Sequence, residues 1–276
     1  MGVVGAGRVG AVLGAALRRA GHEVVATSAV SEASRARAAA LLPGVPLLAP
    51  DEVVQASSLV LLAVPDDALP DLVRGLVEVD AFTTGQLVAH TSGRHGLSVL
   101  APAVGVLPMA LHPVLPFTGT EVDLQRLSGA SFGVTSPEAL RPIAEALVVE
   151  MGSEPVWILD ELRPLWHAAL AHGANHLVTL VSSAADLLRL AGAEDPAAVL
   201  GPLLGAALDG VLRSGDAALT GPVSRGDAGT VAAHLAALPE ELRPSYLALA
   251  RLTADRALAS GRLAPQQAEP LLGVLS

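Results

Sequence analysis

The hydrophobic and polar positions along the chain fall into two regimes. From the N-terminus, short apolar runs alternate with helical-period segments. Gly2-Val3-Val4 leads into a turn rich in glycine, and Ala11 to Ala20 then places Leu13, Leu17 and Ala20 at helical spacing before Gly21 stops it. Glu23-Val24-Val25-Ala26 is the next strand. Val45–Leu48 follows as a third strand, then a helix over Asp51–Ala56. Leu59–Val64 is a continuous apolar run, the signature of a parallel strand buried on both faces, and ends in Pro65-Asp66-Asp67. A helix over Ala68–Val77 precedes a strand at Gln86–Ala89, and a short strand at Pro108–Leu111 ends at His112-Pro113. Ser131–Thr135 and Pro155–Ile158 are two more strands, with a helix over Pro137–Met151 between them. The alternation stops at Asp160. Beyond it every periodic segment is helical: Leu162–Ala191, Pro196–Leu212, Asp227–Leu238, Glu240–Ala259 and Pro265–Val274, with prolines near several helix starts. The pattern predicts an α/β domain over residues 1–160, a doubly wound parallel sheet, followed by an all-α domain over residues 161–276.

Gly5-Ala6-Gly7-Arg8-Val9-Gly10 is G-x-G-x-x-G, set between a strand and a helix, the Rossmann context for binding a dinucleotide. Gly5 permits the tight turn, Gly7 leaves room for a pyrophosphate, and Gly10 lets helix and strand pack closely. Ala6, Arg8 and Val9 complete the cradle, and the helix N-terminus offers free N–H groups to phosphate. About twenty residues on, where an NAD site carries an acidic residue, stand Thr27 and Ser28. Ser28, Ser31 and Arg35 suit a 2′-phosphate, so NADP is expected over NAD; Glu32 is the competing feature. Val64, Pro65 and Asp67, at a strand's carboxyl end, should border the nicotinamide.

Composition narrows the chemistry. The 276 residues are 51% hydrophobic, but no uninterrupted apolar run reaches the 18 or so of a membrane span. There is no signal-peptide n-region, and the first strand looks clipped; the expectation is a cytoplasmic protein. A net charge of −10 argues against nucleic acid as a partner. With no Cys, thiolate chemistry is absent, and no metal site is expected. All 17 basic residues are Arg, which excludes a Schiff-base lysine, a Walker lysine and a Tyr-x-x-x-Lys site. Proton chemistry therefore falls to His, Asp, Glu or water.

His90, Ser92 and Gly93 open a polar cluster at one strand's carboxyl end, and His112 ends another, so these face the crevice where ligands bind. On the long helix, His172, Asn175, His176, Thr179, Ser183 and Asp186 fall within a sector of about 100°. His167 lies roughly opposite that stripe, so both faces meet one cleft only if the helix bends. Thr220-Gly221-Pro222-Val223-Ser224-Arg225-Gly226-Asp227 is a polar, sharply punctuated loop in an apolar domain, a place where function concentrates. Arg225 suits a substrate carboxylate, with Thr220 beside it.

The chain resembles a bacterial family of Rossmann-like proteins with a helical C-terminal domain of unknown function. That family is allied to the 6-phosphogluconate dehydrogenase, ketopantoate reductase and pyrroline-5-carboxylate reductase superfamily. The resemblance rests on Gly5–Gly10, Val64-Pro65-Asp66-Asp67, His90-Thr91-Ser92-Gly93, His112-Pro113, Trp166-His167-Ala168-Ala169 with Asn175, and Thr220–Asp227 with His234. It implies an NADP-binding domain, a helical domain that often dimerises, and a site between them. Many relatives pair a catalytic Lys with an Asn four residues later; here Asn175 matches the Asn but the Lys position is Ala171.

The resulting expectation is an NADP-dependent oxidoreductase, a homodimer through its helical domain, passing hydride between nicotinamide and a small polar carbonyl or imine, such as a 2-oxo acid. Asn175 would bind the reacting oxygen, and His112 or His172 would supply the proton. The alternative is a non-catalytic NADP-binding sensor or partner protein on the same fold.

Overall fold

The computed structural model describes residues 1–276 and divides them into two compact units, Met1–Val178 and Thr179–Ser276. The first is built on a seven-stranded sheet of order β2-β1-β3-β4-β5-β6-β7. Its strands are β1 (Gly2–Val4), β2 (Ala26–Ser28), β3 (Leu59–Leu62), β4 (Leu87–His90), β5 (Leu107–Val114), β6 (Ser131–Thr135) and β7 (Glu154–Trp157). Helices α1 (Arg8–Arg19), α2 (Glu32–Leu41), α3 (Pro50–Gln55), α4 (Leu69–Glu78), α5 (Glu121–Arg126) and α6 (Arg141–Glu150) connect them.

The apolar strands read as buried because they are covered on both faces. Val3, Leu61, Met109 and Phe132 pack with α1 and α6 on one side, while Val4, Val60, Leu62 and Val88 pack with α3 and α4 on the other. Fully burying each such side chain stabilises the fold by about 1.5–3 kcal/mol. One expectation needs correction. Val45–Leu48 forms no strand, only a single bridge from Thr27 to Leu47; Pro43 and Pro46 interrupt a run too short to pair. The sheet is parallel-dominated, as expected. β1 to β5 are mutually parallel, but β6 pairs antiparallel with β5, and β7 follows β6. The β5–β6 link leaves and re-enters at the same edge, so the chain reverses direction.

β5 runs three residues past the predicted end, so His112 and Pro113 lie within it. β4 pairs with β5 only as far as Ala110, and the N–H that Pro113 lacks is not needed there.

After β7 the chain enters α7 (Arg163–Leu170), a π-helical turn (Ala171–Asn175) and α8 (His176–Leu190) without a break. The division by compactness falls at residue 178 rather than 160. The reason is α7: although it follows the last strand, it packs back on the sheet, with Arg163 fully buried against β6 and the loop after β4.

The second unit contains α9 (Pro196–Ser214), α10 (Ala228–Ala237), α11 (Arg243–Ala259) and α12 (Pro265–Leu275). Its core is α10 to α12: Val231, Ala250, Ala254, Ala257, Leu263, Leu271 and Leu275. By contrast α8 buries no residue and α9 only Pro196 and Leu200. Within the helical stretch Pro196–Arg225 an 18-residue window reaches mean hydropathy 1.3, so the stretch is long and apolar enough to cross a membrane by length and composition. It meets that test without an unbroken apolar run, because Asp209, Arg213, Asp216 and Arg225 are spread along it.

Candidate dinucleotide site and the histidine cluster at the strand ends

The glycine turn has the geometry its sequence predicts. Gly5 has φ +98°, and a Cβ there would lie 2.6 Å from the Ala63 carbonyl oxygen. A Cβ on Gly10 would stand 2.1 Å from the Gly5 oxygen, so helix and strand touch backbone to backbone. Gly7 faces open space and is the N-cap of α1. No side chain caps this helix and its first turn holds no acidic residue. Unclaimed amide donors at a helix N-terminus, beside an uncovered glycine, fit a phosphate. Ala6 is buried behind the turn, Val9 is half-buried, and Val64 packs against Gly5.

Beyond β2 the structure corrects the ribose reading. Thr27 is fully buried and donates to the Val3 carbonyl at 2.9 Å. Ser28 turns inward, its Oγ accepting from Gly5 N at 2.9 Å. Both hydroxyls brace the glycine turn and are not free for a ribose. Ser31 is the N-cap of α2, accepting from Ser34 N. The α2 face that packs inward is Ser34, Ala38 and Leu41. Arg35 and Arg37 therefore flank it on opposite sides. Arg35 is exposed, while the stems of Arg37 and Arg8 both lie against Gly119, whose Cβ would meet them at 2.8–2.9 Å. The sequence reading missed Arg37. Its signal needed the loop after β5, held there by the buried Asp123, which accepts from Thr118 N and Gly119 N at 2.8 and 2.7 Å. Those hydrogen bonds outweigh burial and hold the Asp123 carboxyl below its usual range.

At the neighbouring strand ends the site is layered. His90 is completely buried, so it has no surface to offer a substrate. Its Nε2 lies 3.3 Å from the Gly96 oxygen and its Nδ1 has no partner. Burial, followed by the nearby Arg163 charge, lowers its pKa to about 3. Ser92 is also buried: its Oγ accepts from His95 N, and its carbonyl accepts from Arg163. These two expected substrate contacts are supports instead. Asp67 is exposed and bound to Arg94 at 2.5 Å, while Pro65 leads into the same turn.

Gly93 and His112 do converge. A Cβ on Gly93 would lie 2.8 Å from His112 Nε2 and 2.5 Å from His167 Cδ2. The two imidazoles meet edge to face, centroids 5.6 Å apart. Behind them Trp166 donates its indole N–H to His112 Nδ1 at 3.2 Å. His112 thus carries its own proton on Nε2, the nitrogen beside Gly93. Burial, then the charge of Arg163, lowers its pKa to about 4, so it is a neutral donor at pH 7 rather than an imidazolium acid.

Arg163, Trp166 and His167, at i, i+3 and i+4, make one face of α7. A π-helical turn, Ala171–Asn175, follows α7. His172, Asn175 and His176 are all exposed there, with His172 Nδ1 3.1 Å from His176 Nδ1.

Thr220 and Arg225 belong to the second unit. With Leu219, Ser224 and Arg262 they line a cavity of about 330 Å³. Much of their loop is structural. Gly226 is left-handed (φ +74°) against Gln267, and Asp227 caps α10 through Thr230 N. A larger apolar cavity of about 410 Å³ in the same unit is lined by Leu180, Thr220, Leu249 and the hydrogen-bonded pair His234–Tyr246, among others.

Fold and glycine turn together define a Rossmann-like protein with a helical C-terminal extension. Residues 1–113 match the Rossmann-like domain and residues 130–253 match a domain of unknown function, DUF2520. Among solved structures, a Bacteroides fragilis protein provisionally described as an NADP oxidoreductase is similar over 92% of this chain and 97% of its own, with TM-score 0.75 and 22% identity. An NADH-preferring ketol-acid reductoisomerase from an uncultured archaeon is similar over 94% and 83%, with TM-score 0.64 and 16% identity. A Plasmodium falciparum pyrroline carboxylate reductase with NADP bound gives 95% and 96%, TM-score 0.58 and 12% identity. These are likenesses of fold. No curated protein matches the chain in sequence.

Proposed function

We propose that this chain is an NADP-dependent oxidoreductase acting on a small polar carbonyl or imine compound, a 2-oxo acid being the first to try. The observation that carries the reading is the neutral His112, its Nε2–H set beside Gly93 on the same sheet that carries the uncapped glycine turn. Bound nicotinamide would supply the hydride. The chain's part is positional and electrostatic. Gly7 and the first amides of α1 hold the pyrophosphate, and Val64 and Pro65 border the ring. His112 donates a hydrogen bond to the substrate oxygen or nitrogen as charge develops on it, a neutral-imidazole role worth about 10²–10³ in rate for one well-aimed donor. Asn175 is a second such donor. His112 enters this reading as a donor that keeps its proton; His172, exposed beside Asn175, exchanges the proton with water.

For NADP over NAD, the support is the absence of an acidic residue at the carboxyl end of β2 and the pairing of Arg8 with Arg37 across Gly119. A non-catalytic dinucleotide-binding protein is the second reading, favoured by Ala171 standing where relatives carry lysine. The deciding experiment is a titration with NADPH and NADH followed by nicotinamide fluorescence, then addition of 2-oxo acids and cyclic imines. Turnover supports the enzyme; tight NADPH binding without turnover supports the second reading; no binding of either overturns both.

We also infer that a second copy of the chain covers α8 and α9. Leu180, Leu190, Val199, Leu203, Leu208, Val211 and Leu212 are each close to half exposed or more. A stable interface buries about 800 Å² per partner around an apolar core, and these side chains supply such a core.

A further inference from the structure

Arg163 is the largest fully buried side chain in the molecule. A guanidinium taken out of water is costly unless its donors are met. Here Nε donates to the His95 carbonyl at 2.6 Å and Nη2 to the Ser92 carbonyl at 2.6 Å. Nη1 donates to Thr135 Oγ1 at 3.0 Å and to the Gly133 carbonyl at 3.3 Å. None of these acceptors is a carboxylate; Asp160 and Asp66 oppose the guanidinium only as nearby charges. The same residues touch the cluster directly. Ser92 and His95 bracket Gly93, which abuts His112 and His167. Gly133 is the cross-strand partner of His112, and its missing side chain is the space the Trp166 indole fills.

We propose that Arg163 is the positioning residue of this site: its four-way grip sets the Gly93 backbone and the Trp166-bound His112 imidazole and places a cation behind that ring. The inference rests on the oxidoreductase reading only for what the donor is used for. A tie of loop to sheet could be made by neutral groups. What a neutral tie would not provide is a cation behind His90 and His112, where it opposes a second positive charge. The charged and titratable groups around His112 agree in sign with one exception. Arg163 and His167 from α7 disfavour protonation of His112, and His112 in turn disfavours protonation of His90 on β4. Asp66, after β3, opposes them, and Asp160, which accepts from Leu97 N at 2.7 Å, tempers Arg163. Burial is the largest contribution and the Arg163 charge the next.

The test is a side-chain histidine NMR titration of the full-length protein without cofactor, from pH 3.5 to 8, on wild type, Arg163→Lys and Arg163→Met. In wild type His112 should stay in the Nε2–H tautomer and titrate only near pH 4. In Arg163→Met its midpoint should rise by about one unit or more. Arg163→Lys keeps the charge and should hold the midpoint low while weakening the grip, read as a loss in kcat. A purely structural tie predicts instead that Lys and Met shift the midpoint equally. That result overturns the proposal, as does a wild-type His112 titrating near 6.5. Should the Met variant not fold, wild type and the Lys variant still decide. Because no nucleotide is present, failure here is separate from failure to bind NADPH.

Discussion

Trp166 reaches His112 across Gly133, its indole N–H 3.2 Å from Nδ1. One hydrogen bond thereby decides which nitrogen of the imidazole carries the proton, and it depends on a cross-strand neighbour with no side chain. Trp166→Phe keeps most of the packing and removes the donor. Its expected effect is about a tenfold loss in kcat with NADPH affinity within twofold, since only the tautomer is released. Steady-state kinetics with fluorescence titration would check it; unchanged kcat would mean the tautomer does not matter.

Gly93→Ala should be far more damaging than its size suggests. The added methyl would sit 2.5 Å from His167 and 2.8 Å from His112, and one imidazole must move. Displacement of about 1 Å at a reacting centre can cost about 10²-fold. Gly7→Ala is the complement: nothing in the protein opposes it, so the fold should be kept while dinucleotide affinity falls. Thermal melts and NADPH titrations of the pair would separate the two effects.

Stability should depend on pH through His90 and His112. Both are held neutral in the folded state, at about 3 and about 4. The unfolded chain binds protons near 6.5 and the folded one does not, so stability is complete above that value and falls as pH drops towards 4. From pH 7 to pH 5 the loss is on the order of 2 kcal/mol for each group. Urea unfolding at the two pH values measures it, and His90→Leu should remove about half. A flat profile would show that neither imidazole is kept neutral.

Cofactor preference should follow Arg37 rather than Arg35. The two project from opposite flanks of α2, and only Arg37 shares Gly119 with Arg8. Arg37→Gln should raise the NADPH dissociation constant about tenfold and leave NADH within twofold. Arg35→Gln should change neither. Equal losses for both nucleotides would assign Arg37 to the pyrophosphate instead.

Light scattering after size exclusion should give twice the chain mass, and Leu203→Glu with Leu208→Glu should halve it. A monomeric wild type would sink the second-copy reading.

The glycine turn, the buried strands and the change to an all-helical second half were all legible in the sequence, because each is a local consequence of residue spacing. Gly5 needs a positive φ, Gly10 needs backbone contact, and a run such as Leu59–Leu62 has to be covered on both faces. Tertiary structure decided the rest. The hydroxyls of Thr27 and Ser28 look available to a ligand until the β1–β2 pairing shows them spent on Val3 and Gly5. In the sequence His90 and His112 read alike as the ends of neighbouring strands, yet in the fold one is sealed inside and the other, within β5, reaches Gly93. Burial depends on what packs over a strand end, and here Arg163 of α7, dozens of residues away, holds the loop after β4 in place. Arg163 is the extreme case. By composition an arginine is expected at the surface, and four acceptors from two separate segments overrule that expectation. Spacing records the neighbours a residue has along the chain; the protonation state of an imidazole depends on neighbours in space.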